Sequence, residues 1–102
     1  MTDNSIFGTE GFVSRHPHPA GLGGVQHIYH YSNGYGASIV QSPFSYGGDE
    51  GLWEVAVLKK EGDGWPLTYD TPITGDVLGY LSQEGVVATL KAISELQKEK
   101  AQ

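Results

Sequence analysis

Apolar positions follow a period of two through the middle of this chain and a period of three to four near its end. From Gln26 to Ser32 they alternate around Tyr29 and Tyr31, and Tyr35–Gln41 is a second strand-like run. Asn33-Gly34 lies between them. An Asn-Gly pair in that position predicts a β-hairpin, because a type I′ turn needs two residues that accept positive φ. Leu52–Lys60 is the next strand. Trp53, Val55 and Val57 fall on one side, and Leu52, Ala56 and Leu58 on the other, so it should be covered on both faces. Glu61-Gly62-Asp63-Gly64 reads as a turn, and Trp65–Tyr69 as a returning strand that Pro66 confines to an edge. Asp76–Leu81 is expected to make one helical turn. Beyond Ser82, a good N-cap, Val86, Leu90, Ile93 and Leu96 fall three or four apart and Val87 widens the stripe. That spacing predicts a helix to about Lys98, with Lys98 and Lys100 complementing its dipole.

The elements add up to an α+β fold: a four-stranded antiparallel meander with one C-terminal amphipathic helix, order ββββα, over residues 26–102. Residues 1–25 hold five glycines with Pro17 and Pro19 and few periodic apolar positions. They read as an irregular arm, with at most a short edge strand at Ile6–Val13. One helix covers one sheet face. The other face is left to solvent, the arm, a second copy in a homodimer, or a partner.

A length of 102 residues allows one domain, and a 38% hydrophobic content with 11 aromatics supplies its core. Cysteine is absent, which removes disulfides, thiolate metal sites and cysteine nucleophiles. No apolar run is long enough for a membrane-spanning helix, and Met1–Phe12 lacks the pattern of a secretory leader. The expected location is therefore cytoplasmic. The net charge of -6 is concentrated between Asp49 and Glu84, where eight carboxylates face only Lys59 and Lys60. That field repels phosphate backbones, so no nucleic acid is expected as partner; it suits a basic partner or serves solubility.

His16, His18, His27 and His30 are all the histidines of the chain. His-Pro-His-Pro looks like a metal-binding tract, but the prolines hold it extended. His27 and His30, three apart on a strand, point to opposite faces, so no metal site and no cofactor is expected. Ser38, Ser42 and Ser45 sit in no nucleophile elbow. The glycine pairs lack the residues of a phosphate loop and serve turn geometry. A catalytic constellation is therefore not expected. The aromatics carry the strongest signal: Tyr29, Tyr31, Tyr35, Tyr46 and Trp53 combine large area with polar tips, as interface anchors do. Cross-strand packing explains the same residues equally well. Asp70, before Thr71-Pro72, shapes an Asx-turn or lines a pocket at the end of the sheet.

His30-Tyr31-Ser32-Asn33-Gly34-Tyr35-Gly36-Ala37-Ser38, Ser45-Tyr46-Gly47-Gly48, Gly51 to Lys59 and Tyr69 to Thr74 together resemble a family of small uncharacterised accessory proteins of tailed bacteriophages and prophages, over about residues 28–96. The resemblance implies a viral accessory gene acting in the bacterial cytoplasm and carries no catalytic residues over. It favours a non-enzymatic protein that binds and modulates a host or anti-phage defence component. The alternatives are a protein that sequesters a small molecule such as a nucleotide signal, and a metal-dependent hydrolase using the histidines. Tyr29, Tyr31, Tyr35, Tyr46, Trp53 and Asp70 are the expected binding residues.

Overall fold

The computed structural model describes residues 6–17, 23–43, 51–68, 71 and 77–96. Within them the fold is α+β, with an antiparallel sheet followed by one helix. The strands are β1 (Phe12–Pro17), β2 (Val25–His30), β3 (Tyr35–Gln41), β4 (Trp53–Lys59) and β5 (Leu78–Leu81), lying side by side in chain order, and α1 spans Gln83–Ser94.

The sheet has five strands where the pattern predicts four, and two of them stand at unexpected places. β1 lies at Phe12–Pro17, beyond the short edge strand that the arm was expected to hold at most at Ile6–Val13, and it pairs with β2 with a register shift between Phe12 and Ser14. That bulge breaks the period of two. β5 replaces the helical turn expected at Asp76–Leu81, as Leu81 pairs with Trp53 and Leu78 with Val55. Ladder bonds to an otherwise bare strand edge outweigh the helical preference of so short a segment. The strand expected at Trp65–Tyr69 is reduced to a strap bridged to β4 at Leu58 and Leu67. Lys59 N donates to Pro66 O (3.0 Å) and Thr68 N to Val57 O (2.8 Å). β5 and this strap thus divide the outer edge of β4 between them.

The hairpin forms at Asn33-Gly34, but with a different turn. Tyr31 N donates to Tyr35 O (2.8 Å) and Gly34 N to Tyr31 O (3.1 Å). Only Gly34 has positive φ, at 88°. This is a three-residue loop closed by a glycine bulge, which needs one left-handed residue where type I′ needs two. The reason lies in the Asn33 side chain. Its Oδ1 accepts from Tyr35 N (3.0 Å), while its Nδ2 donates to the carbonyls of Ile93 (2.8 Å) and Leu96 (3.1 Å). The last carbonyls of a helix lack partners in the helix itself; Ile93 O accepts from Leu96 N (3.1 Å), and the hairpin turn adds a further donor there and one at Leu96 O.

The helix starts as the sequence predicts, with Ser82 Oγ accepting from Gly85 N (3.1 Å), and it ends at Ser94, short of the predicted Lys98. Val86, Leu90 and Ile93 are buried against Ala37, Ile39, Trp53, Val55 and Val57. Val87, expected to widen the stripe, remains exposed. Phe7 completes this core from the arm. Its ring meets Trp53 edge-on at 4.9 Å and His27 at 5.1 Å. Gln83 Nε2 bonds Ile6 O (3.0 Å), and the Tyr29 hydroxyl donates to Gly8 O (2.6 Å). Residues 6–17 therefore pack on the helix side and along the sheet edge.

Asn33→Ala removes three hydrogen bonds at once. It is expected to lower stability by about 2–3 kcal/mol while Gly34 preserves the turn. Urea unfolding checks this; a loss below about 0.5 kcal/mol would mean that the helix end does not depend on the hairpin.

Candidate functional site

The two faces of the sheet differ in character. The face under α1 is the core. The far face presents three rows running across the strands: His30, Gly36 and Leu58; Ser14, Ile28, Ser38 and Ala56; and His16, Gln26, Val40 and Glu54. β4 is apolar on both sides, as expected, and Ala56 and Leu58 are buried on this one. Gln26, Ile28, His30, Val40 and Glu54 are half-buried. These residues floor a cavity of about 520 Å³, walled by Trp65, Pro66, Leu67 and Val77.

One end of the cavity is aromatic. Trp65 lies flat on His30, with ring centroids 3.7 Å apart and 6° between the planes. Gly36 stands between His30 and Leu58 on this face and raises no side chain there. A Cβ at that position would also collide with the carbonyl oxygen of Tyr29. The other end is polar and ordered. His16 Nε2 donates to Gln26 Oε1 (2.6 Å), with Ser14 Oγ 3.3 Å from His16 Nδ1, and Gln26 Nε2 donates to Ser38 Oγ (2.8 Å). Glu54 adds a carboxylate, and no lysine or arginine is among the described lining residues.

The residues expected from sequence to bind lie elsewhere. Tyr29 is 1% exposed and Trp53 8%, both buried in the core on the helix side of the sheet. Tyr31 and Tyr35 pack against the edge of that core. Tyr29 and Tyr31 also border a cleft of about 690 Å³ between Phe7–Glu10 and α1, near Lys91 and Glu95. Burial, with Tyr29 and then Glu10 nearby, raises the Tyr31 hydroxyl above its ordinary value, so it stays a neutral donor. Tyr46 and Asp70 lie outside the described residues, as does His18. His27 faces the core and His30 the cavity, opposite faces as their spacing requires. Among the described residues no three His, Asp or Glu side chains gather as a metal site. Sequence reasoning missed Gln26, Ser38, Glu54 and Trp65. The available signal was parity: Gln26, Ile28 and His30 alternate with His27 and Tyr29.

No family model, no curated protein and no solved structure matches this chain. No described helix is long and apolar enough to cross a membrane.

Desolvation holds the His30 imidazole below the ordinary histidine value of about 6.5. The unfolded chain then takes up this proton at a higher pH than the folded one. His30 leaves stability intact above about pH 6.5 and lowers it as pH falls toward and through the depressed folded value. His30→Asn should flatten this part of the profile, and urea midpoints for both proteins across the acid range measure the difference. Parallel profiles would contradict it.

Proposed function

We propose that this protein is a non-catalytic binding protein that holds a small molecule in the cavity on the far face of the sheet. The observation that carries the reading is the cavity itself. Its volume of about 520 Å³ falls in the range of ligand sites, roughly 300–1,000 Å³, and its lining is mainly apolar with a few placed polar groups. Binding fits this lining better than catalysis. Ser38 Oγ is bonded to the Gln26 amide, which cannot act as a base toward it. The absence of lysine and arginine from the described lining favours ligands without phosphate.

A saturating ligand stabilises the fold by RT ln(1 + [L]/Kd), about 2.7 kcal/mol at a hundredfold excess over Kd. A thermal-shift screen with small aromatic and apolar compounds should find such ligands. Val40→Trp, which fills the cavity from a half-buried position, should abolish the shifts and keep the fold. Shifts that persist in Val40→Trp would move the site elsewhere, and no shift with any compound would contradict the reading.

A second reading, a phage accessory protein that docks on a basic host or defence protein, is supported by the resemblance noted above and by the acidic stretch between Asp49 and Glu84. Exposed carboxylates would steer the encounter, so binding should weaken with salt. Pull-down from bacterial lysate should recover one basic protein at low salt and lose it at high salt. Recovery of no specific partner by the folded protein would count against it.

A further inference from the structure

The cavity is polarised along the strands, and its length selects among ligands. Its aromatic end is the row of His30, Gly36 and Leu58, where Trp65 stacks on His30. Its polar end is the row of Gln26, Val40 and Glu54, four residues away on β2, β3 and β4 alike. Four residues of strand span about 13 Å. The intervening row offers Ile28 and Ala56, a floor that is apolar except for Ser38. Glu54 supplies the one formal charge among the described lining residues, in a protein of net charge -6.

Building on the cavity reading, we infer that the ligand is an arylalkylamine: a planar aromatic ring against Trp65, a short apolar stem over Ile28 and Ala56, and a protonated amine at Glu54. Each part follows from one end of the site. One face of Trp65 is taken up by His30, and a ligand ring meets its other face or its edge. A floor that is apolar apart from Ser38, whose hydroxyl already accepts from Gln26, accepts methylenes. The Glu54 carboxylate, across Val40 from Gln26 in the same row, attracts an ammonium and repels a carboxylate or phosphate. A stem of about four carbons, together with the amine's hydrogen bond and the length of the Glu54 side chain, would cover the roughly 13 Å between the rows.

The test is calorimetric titration with phenethylamine, phenylbutylamine and phenylhexylamine, and with phenylbutanol and phenylbutyrate as neutral and anionic comparators. Phenylbutylamine should bind tightest of the amines and about tenfold or more tighter than either comparator. Glu54→Gln should remove its advantage over phenylbutanol and leave phenylbutanol binding unchanged. Trp65→Ala should weaken every ring-bearing probe about tenfold, with Trp65→Phe restoring most of the loss. Should Trp65→Ala fail to fold by circular dichroism, Trp65→Phe and Glu54→Gln carry the decision. Equal affinity for amine and carboxylate, no dependence on stem length, or an unaltered amine preference in Glu54→Gln would each overturn the inference. If phenylbutanol binds and Val40→Trp abolishes it while the amine binds no tighter, the cavity reading stands and the ligand class falls. If no probe binds, both fall.

Discussion

A single helix is narrower than the sheet it must cover. An α-helix with its side chains is about 10–12 Å across, whereas five strands at about 4.8 Å spacing span nearly twice that. α1 packs over β3, β4 and β5. The rest of that face has to be covered by something else, and the aromatic residues answer this need. Phe7 sets its ring against His27 of β2 and Trp53 of β4, while Phe12 meets Tyr29 edge-on at 5.6 Å and Tyr31 stacks beside it. Much of the aromatic content that marks this chain therefore goes into widening one core.

That constraint also explains what could be read from the sequence. Asn33-Gly34 marked the hairpin, Ser82 the helix start, and the two apolar faces of Leu52–Lys60 the most buried strand, because each is a local pattern with a local cause. The bounds of β1, expected at Ile6–Val13 and found at Phe12–Pro17, were hidden by its bulge and by Arg15 and His16, which an edge strand tolerates. β5 depends on an edge of β4 that no local pattern announces. The turn type depends on Asn33 reaching Ile93, sixty positions away. Phe7 has only exposed Ile6 as an apolar neighbour before Phe12; two adjacent residues define no period, and only tertiary contacts bury Phe7.

The candidate site was less legible than the fold, for a related reason. Composition counts aromatic residues without saying which side of the sheet they occupy. Parity sorts Tyr29 and His27 from Gln26, Ile28 and His30, but the side on which the helix lands decides which set becomes core. Trp65 was read as part of an edge strand. Instead its strap folds over the far face, where Gly36 leaves room beside His30. The outcome is a strand, β4, whose one side anchors the core and whose other side floors a cavity. A floor built from paired strands keeps its geometry better than one built from loops.

Both outer strands of the sheet carry an irregularity. In β1 the register shifts between Phe12 and Ser14, and in β5 three steps of chain face two of β4 while Tyr80 takes a left-handed φ of 58°. A straight edge strand exposes a row of unused donors and acceptors on which further chains can assemble. A bulge bends that row and puts successive groups out of step. Among the described residues neither outer strand offers an uninterrupted template for another strand, and this works against growth of the five-stranded meander into a fibre.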